Sequence, residues 1–448
     1  MEIILPENVE LIINTLQKEG FEAYAVGGCI RDSILERKPN DWDITTSALP
    51  QQVKNLFRRT VDTGIEHGTV TVLLGNESFE VTTYRTDGEY KDSRHPESVE
   101  FVTSLEEDLK RRDFTINAMA YNYENGLMDP FDGYGDLEKK CIRCVGDPNE
   151  RFREDALRIF RAVRFSAQLS FQIEERTAQA IKDLAPTLEK ISAERISAEL
   201  IKLLLSPHPD YIKKAYELGM TAVFLPEFDR MMETEQNSKY HIYNVGEHTI
   251  KTLQHMEADK ILRLTMLLHD VGKPECRKTD SLGRDHFAGH AEKSVEKAKK
   301  ILRRLKLDNE TIQKVLLLIR YHDWRFPANM KNVRKAMRVL GKEMYPNFLK
   351  VQRADAMGKS DYIKEETLRH LDELEELYKR VIEQKQCVSL KELSISGKDI
   401  LELGVKAGPS VGKALNAALD KVLEDPGCNE SEFLKNYIKN ILKNGGLV

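Results

Sequence analysis

The chain has 448 residues, 41% hydrophobic and 31% charged, with a formal net charge of −5. That composition supports a packed core spread over about two to four domains and excludes wholesale disorder. It also excludes a globally basic nucleic-acid binder, so any nucleic-acid partner must be met by local basic patches.

The six cysteines are scattered, which suits a reducing, cytoplasmic compartment rather than a disulfide framework. Cys141 and Cys144 form a C-x-x-C without the second pair or nearby histidines that a zinc site would need. The opening "MEIILPENVELIINTLQKEG" is acidic and amphipathic, unlike a signal peptide. No apolar run reaches transmembrane length, so no membrane partner is expected.

In chain order, a helix is predicted over 7–19. "FEAYAVGG" reads as a strand ending in glycines, followed by a short helix over 31–36 and "DWDITT" as a strand. "GTVTVLL" and "SFEVTTYR" read as a hairpin closed by "GNE". "RTDGEYKDSRHPESVEF" is polar and predicts a mobile loop. "EEDLKRRDFTINAMAYN" reads as a helix, and "LMDPFDGYGDLEKKCIRCV" as a second turn-and-strand unit. From about 150 onward the period is helical, with "RFREDALRIFRAVRFSAQL" a strong amphipathic helix. There is no internal repeat. The predicted class is α+β: a small mixed sheet with helices, then a long all-α body.

Asp41 and Asp43, two apart on a strand, project to one side and repel unless a cation sits between them. Magnesium takes oxygen ligands and shares its shell with phosphates. Gly27 and Gly28 let backbone amides approach a triphosphate, and Arg31 can reach the same phosphates. A lone D-x-D could equally be a turn cap beside a solvated acid. The glycines, the arginine and the apolar strand turn the reading towards a metal pair.

"VGGCIRDSILERKPNDWDI" resembles the signature of the tRNA nucleotidyltransferase and poly(A) polymerase family, specifically the bacterial class II CCA-adding type. "GTVTV", "EVTTYRTDGEY", "EEDLKRRDFTINAMAYN", "DPFDGYGDL" and "VGDPNERFREDALRIFRAVRF" follow in the family's order over about the first 225 residues. The resemblance implies a polymerase-β-like head with Asp41 and Asp43 as magnesium ligands. Glu80 is the candidate third acid, against the alternative of a strand glutamate needing no metal. It further implies that Arg112 contacts nucleotide. Asp113 would orient Arg112 or brace its loop, and Lys110 and Arg111 would be tRNA backbone contacts or plain surface charge. In relatives the polar loop over 85–101 accompanies addition of the final A; a flexible loop without such a role is the alternative.

"EDALR" suggests how bases are chosen without a nucleic-acid template. Asp155 and Arg158, three apart, are predicted on one helix face. A carboxylate accepts and a guanidinium donates, which suits the amino-plus-ring-nitrogen edge shared by cytosine and adenine. Guanine and uracil present the reverse order. The resemblance assigns the same role to these positions. Arg161 and Arg164 continue the stripe towards phosphate or ribose, with a solvated face as the alternative, while Leu157, Phe160 and Val163 are predicted core.

Seven of the 11 histidines lie between 241 and 322. His248, His269 with Asp270, His290, His322 and Asp355 combine nitrogen and carboxylate donors. These suit manganese, nickel or iron, or else magnesium. The ordered set resembles an HD phosphohydrolase domain, which implies a second divalent metal and phosphoester hydrolysis. His241, His255 and His286 read as ordinary. In "LELGVKAGPSVGKAL", Gly404, Gly408 and Gly412 surround a turn opening a helix, which could hold an RNA phosphate or simply pack. This stretch also resembles the C-terminal segment of class II enzymes.

The expected domains are a nucleotidyltransferase head over 1–148, a helical neck and body over 149–230, an HD-type domain over 231–365 and a tRNA-binding tail over 366–448. The expected function is addition of C, C and A to tRNA from CTP and ATP, contacting the acceptor arm and elbow, with no obligate protein partner. A poly(A) polymerase, an A-only or CC-only enzyme, and an RNA-binding scaffold with an inactive head are the alternatives.

Overall fold

The structure is a computed structural model that describes residues 2–87, 99–237, 242–362 and 364–443. The chain divides into two units, Met1–Asp229 and Arg230–Val448.

The first unit opens with α1 (Glu7–Lys18), which buries Val9, Ile12, Ile13 and Leu16 at helical spacing. The sheet strands are β1 (Ala23–Val26), β2 (Asp43–Thr46), β3 (Thr60–Gly64), β4 (Thr69–Leu74) and β5 (Glu77–Thr83). A ribbon of β6 (Arg85–Asp87) and β7 (Val99–Phe101) follows, then β8 (Ala120–Asn122) and β9 (Gly126–Met128). Seven of these form one mixed sheet in the order β3-β4-β5-β2-β1-β8-β9. Only β2 and β5 run parallel, with Ile44 opposite Val81, so Asp43 and Glu80 lead into the same edge of that pair. Every residue of β1 is buried, as its central place demands.

The helices of this unit are α2 (Gly28–Ile34), α3 (Pro50–Leu56), α4 (Leu105–Lys110), α5 (Gly133–Glu138), α6 (Pro148–Glu154) and α7 (Leu157–Leu169). They continue with α8 (Glu175–Leu184), α9 (Ala193–Leu204), α10 (Ile212–Glu217), α11 (Thr221–Phe224) and α12 (Pro226–Met232). A two-residue ribbon pairs β10 (Cys141–Ile142) with β11 (Gln172–Ile173).

Several elements differ from the sequence expectation. Strand β2 begins at Asp43, so Asp41 stands before the strand and not on it. Helix α2 begins at Gly28, a turn earlier than predicted. The hairpin turn is Gly75–Asn76, since Leu74 already pairs with Glu77. The ends of the polar segment are not loop: Arg85 pairs with Phe101 and Asp87 with Val99, while 88–98 lie outside the described residues. The helix predicted through 106–122 stops at Lys110 and gives way to a short turn and β8. Residues 113–122 are all buried, and a continuously buried run has no period to separate helix from strand.

The long helix predicted over 151–169 is broken. Asp155 adopts an extended backbone (φ −137°, ψ 104°) and its Oδ1 accepts the Leu157 N–H at 3.0 Å. A short carboxylate at this point competes with the helix and caps the next one. The apolar pattern runs on regardless, because Phe152 on α6 and Phe160 on α7 are both fully buried.

The second unit is helical apart from a ribbon of β12 (Lys278–Thr279) and β13 (Asp285–His286). Its helices are α13 (Val245–Gln254), α14 (Lys260–Leu268), α15 (Lys273–Cys276), α16 (His290–Arg304) and α17 (Asn309–Tyr321). They continue as α18 (Met330–Leu340), α19 (Tyr345–Met357), α20 (Lys364–Glu383), α21 (Gly397–Glu402), α22 (Pro409–Glu424) and α23 (Ser431–Lys443). Asn244, Asp259, Asp308 and Asn329 each accept a first-turn N–H, fixing the starts of α13, α14, α17 and α18. The buried Arg334 of α18 donates to the Leu423 and Glu424 carbonyls, satisfying the C-terminal end of α22.

Candidate active site

In the first unit a cleft of about 450 Å³ gathers Gly27, Gly28, Arg31, Asp41, Asp43, Arg112, Asp155, Arg158, Arg161 and Arg164. Seven arginines and four aspartates line it, so its field favours a polyanion. Gly27 has φ +83°, and a Cβ there would meet Arg112 Nη1 at 3.0 Å. The missing side chain is what lets that guanidinium sit against the turn. At Gly28 a Cβ would meet only Arg31 Nη2 at 3.7 Å, so packing does not require glycine there.

The acids form a strained group. Asp43 touches solvent at the cleft wall yet is enclosed by protein, and its pKa is pushed up to about 6. Burial is the largest cause; Asp41 and Glu80 add repulsion, and Arg112 partly offsets them. Glu80 is exposed on β5 and acts on Asp43 through its charge. Burial does most of this and the neighbouring carboxylates add to it, so the ionised pair favours a cation between its members, and the donor set is all oxygen. That fits a hard divalent cation such as magnesium at Asp41 and Asp43.

The basic side of the cleft is ordered by a buried acid that sequence reading assigned to Arg112 or its loop. Asp113 braces that loop, accepting from the Phe114 N–H at 2.9 Å and from Asn117 Nδ2 at 3.1 Å, and it also accepts from Arg161 Nε at 2.7 Å. Burial opposes its ionisation, but Arg161 and Asn117 hold it down at about 2. Asn117 in turn accepts from Arg31 Nη1 at 2.7 Å. The Phe165 ring lies under three guanidinium groups, with Arg164 at 3.8 Å, Arg31 at 5.1 Å and Arg161 at 5.3 Å from its centroid. Arg112 pairs with the buried Asp108 at 3.3 Å. Arg111 is no plain surface charge: it pairs with Asp108 at 2.8 Å and lines the cleft.

Asp155 and Arg158 both face the cleft but do not share a helix face, because Asp155 stands in the break before α7. Arg195 Nη2 holds Asp155 Oδ2 at 2.8 Å. Arg158 is held by Glu154 at 2.5 Å and by the Arg111 carbonyl at 2.9 Å. Asn117, Phe165 and Arg195 were missed by sequence reading. Asp113 and Asn117 sit four apart in "DFTIN", a faint local signal. Nothing local marks Arg195, whose partner lies 40 residues away.

A second cluster lies in the second unit, where α13, α16 and α19 carry His248, His290 and Asp355, while His269 with Asp270 and His322 stand just past the ends of α14 and α17. All but His290 are essentially buried, and His290 is 15% exposed at its side chain. Each imidazole points Nδ1 at a backbone carbonyl: His248 to Gly358 (3.0 Å), His269 to Met266 (2.7 Å), His290 to Phe287 (2.9 Å) and His322 to Ile319 (2.7 Å). A carbonyl only accepts, so in each neutral ring Nδ1 carries the proton and Nε2 the lone pair. The Nε2 atoms then meet in pairs, His248 with His269 at 3.3 Å and His290 with His322 at 3.2 Å. Two facing lone pairs need an electrophile between them, and carbonyl-oriented imidazoles are the usual support of metal ligands. Burial drives the His248 and His290 pKa values down, keeping those rings neutral, whereas for His322 the carboxylate of Asp270 overcomes burial and raises the pKa, so a proton can sit between His290 and His322. For Asp270 and Asp355 burial is overcome by nearby cations and histidines, and both stay ionised. The residues present fit a divalent transition metal. His286 pairs instead with Asp280 at 2.9 Å, and His241 lies outside the described residues.

In the tail, Gly408 (φ +125°, ψ −153°) precedes α22 in a conformation open to glycine, and Gly404 is at φ +87°. Gly412 is different: it lies inside α22, and a Cβ there would meet nothing. Among the described residues no helix is long and apolar enough to cross a membrane.

Three family models match the chain. They are the Poly A polymerase head domain over 23–143, the RNA and SrmB-binding site of polymerase A over 170–232, and tRNA nucleotidyltransferase domain 2 over 287–438. A CCA-adding enzyme of Lactobacillus helveticus is 56% identical over 197 residues, 44% of this chain and about half (49%) of that protein. The CCA-adding enzyme of Pediococcus pentosaceus is 35% identical over 439 residues, 98% of each chain. That of Streptococcus thermophilus is 36% identical over 433 residues, 96% of this chain and 95% of that one. Among solved structures, the Bacillus stearothermophilus CCA-adding enzyme in complex with CTP is 30% identical, with 99% of each chain covered and a TM-score of 0.74. The Thermotoga maritima CCA-adding enzyme complexed with tRNA is similar in fold, at 20% identity, 98% and 97% coverage and a TM-score of 0.60. Full-length identity with the Pediococcus and Streptococcus enzymes, together with the head and tail matches, means that this chain belongs to the class II CCA-adding enzyme family.

Proposed function

We infer that the protein is a nucleotidyltransferase that adds C, C and A to the 3′ end of tRNA from CTP and ATP, with no nucleic-acid template. The observation that carries this reading is one cleft holding a repelling acid pair beside an arginine-rich wall. Magnesium held by Asp41 and Asp43, with Glu80 as a further acid, would polarise the transferring phosphate and the leaving diphosphate. The 3′ hydroxyl of the RNA attacks the α-phosphorus, the bond to the β-phosphate oxygen breaks, and diphosphate departs. Arg31, Arg112, Arg161 and Arg164 supply positive charge for the triphosphate, and Asn117 and Asp113 fix two of these guanidiniums before substrate arrives. Asp155 accepts from the exocyclic amino group of cytosine or adenine and Arg158 donates to the adjacent ring nitrogen. A good bidentate contact of this kind discriminates by roughly 1–3 kcal/mol. Gly408 and Gly412 at the start of α22 offer backbone N–H groups to an RNA phosphate, which positions tRNA without reading its sequence.

The test offers purified protein a tRNA lacking its 3′ end, with CTP, ATP, both, or GTP and UTP. Products ending in CCA are expected from the mixture of CTP and ATP. Long A tails would instead indicate a poly(A) polymerase, and CC or A alone a restricted enzyme. No incorporation would leave an RNA-binding scaffold.

The histidine cluster favours a second activity: metal-dependent hydrolysis of a phosphoester, with a 2′,3′-cyclic or terminal phosphate on a damaged tRNA end as the substrate class. The four outward-tethered imidazoles and two buried carboxylates support it.

A further inference from the structure

Asp355 joins the histidine cluster to two cations that its ligand set leaves unused. Its Oδ1 faces the imidazoles, 3.1 Å from His248 Nε2 and 3.8 Å from His269 Nε2. Its Oδ2 faces Lys359 Nζ at 2.5 Å and Arg325 Nη2 at 4.0 Å. Lys359 follows Asp355 by about one helical turn, just past the end of α19, and is tied to it. Arg325 comes instead from the connector between α17 and α18. Its distance to Asp355 is too long for a hydrogen bond, so the guanidinium keeps its donors for something else. Its side chain is 43% exposed, against 2% for Asp355, so it reaches the cluster from the solvent side.

The connector is fastened on both sides of Arg325. Buried Gln352 of α19 donates to the Trp324 carbonyl at 2.7 Å, and His370 Nε2 of α20 donates to the Phe326 carbonyl at 3.0 Å. The Trp324 and Phe326 rings lie 5.1 Å apart, and both pack against the fully buried Phe348 of α19, at 6.4 and 6.3 Å. Of the three residues only Arg325 is exposed. A side chain wanted merely for surface charge does not need its backbone fixed beside a buried cluster.

We propose that Arg325 is the phosphate-binding residue of the histidine cluster, receiving the non-bridging oxygens of a terminal phosphate monoester at its mouth. The inference rests on reading the cluster as a metal phosphohydrolase site. The mouth is marked by His290, 15% exposed, whose Nε2 lies 3.8 Å from Oδ2 of the half-exposed Asp323. Asp323 and Arg325 leave the same connector two residues apart. A guanidinium offers paired N–H donors that match two phosphate oxygens, which an ammonium group cannot. Lys359, held on Asp355, offsets the charge of that carboxylate and leaves Arg325 to the ligand.

The experiment uses the full chain carrying Asp41→Asn and Asp43→Asn, which removes the acid pair of the head. The protein is loaded with Mn²⁺ and titrated with inorganic phosphate. Broadening of the phosphorus-31 resonance then reports phosphate beside the paramagnetic ion. His269→Ala with Asp270→Ala in the same background gives the baseline for phosphate bound elsewhere. Saturable broadening above that baseline is expected. Arg325→Ala should raise the phosphate dissociation constant at least about tenfold, as losing a charge-assisted hydrogen bond does. Arg325→Lys should recover only part of the loss, and Mn²⁺ affinity should be unchanged in both variants. Unchanged phosphate affinity in Arg325→Ala would overturn the assignment. So would a loss matched by an equal loss of Mn²⁺ affinity, since Arg325 would then serve Asp355 alone. Broadening in the parent no greater than the baseline would instead sink the cluster reading on which the inference rests.

Discussion

Asp43 shows how one side chain can report a missing charge. Its pKa, about 6 against an ordinary 3.8, means that the fold favours the protonated acid. Between those values the native state binds more protons than the unfolded chain, so this group's contribution to stability falls as pH rises through that window. Above about pH 6 the full cost of the ionised form is present. Metal-free Asp43→Asn should therefore melt higher than the parent at pH 7, by a margin that solvent screening of this exposed side chain keeps small, and the difference should vanish near pH 4. Adding Mg²⁺ should raise the melting temperature of the parent more than that of Asp43→Asn. Equal melting of the two metal-free proteins at pH 7 would show that the acid pair carries no such strain. The pair itself was visible in the residues because two acids beside a glycine turn form a local pattern. Asp113 and Asn117 were harder to place, since their partners, Arg161 and Arg31, are chosen only once α7 and α2 converge on the same turn.

At the scale of elements, the break between α6 and α7 matters most. The apolar period continues from Phe152 to Phe160, so pattern alone reads one helix across a point where the backbone is extended. Both helices bury the same side, and periodicity reports burial rather than continuity. What ends α6 is a competition that Asp155 wins by capping Leu157. The break frees Asp155 from the helix, and Arg195 on α9 then fixes its direction across the cleft. Hydrogen bonds to charged groups are worth roughly 1.5–3 kcal/mol, about ten- to a hundredfold. Arg195→Ala should thus lower kcat/KM for CTP by at least about tenfold and narrow the preference for CTP over UTP. Measuring both substrates separates positioning from general damage: a uniform loss with the CTP-to-UTP ratio unchanged would mean that Arg195 only supports the fold. Elements governed by one buried stripe, such as α1, were legible to within a residue. Those in the fully buried stretch over 113–122 were not, because burial on every side erases the period.

For the whole molecule, the two side-chain constellations belong to different units of the chain. The acid pair and its arginines belong to Met1–Asp229, and the histidine cluster to Arg230–Val448. The order of motifs along the chain carried the head and the mostly helical remainder, whose short ribbons at 172–173 and 278–286 depart from the all-α expectation. The pairing of the six histidine-cluster ligands across five helices and their ends was not local, and only their order hinted at it. If each constellation is self-contained, removing one should spare the other. His269→Ala with Asp270→Ala should abolish metal-dependent release of phosphate from a terminally phosphorylated or 2′,3′-cyclic RNA end, while CCA addition stays within about twofold of the parent. Asp41→Ala should do the reverse, eliminating nucleotide incorporation and leaving hydrolysis intact. The His269→Ala, Asp270→Ala variant leaves the buried Asp355 short of partners, so its folding should be checked by melting before rates are compared. Phosphate release that survives the double substitution would assign hydrolysis to some other group, and loss of both activities in either variant would show that the units depend on one another for more than a shared chain.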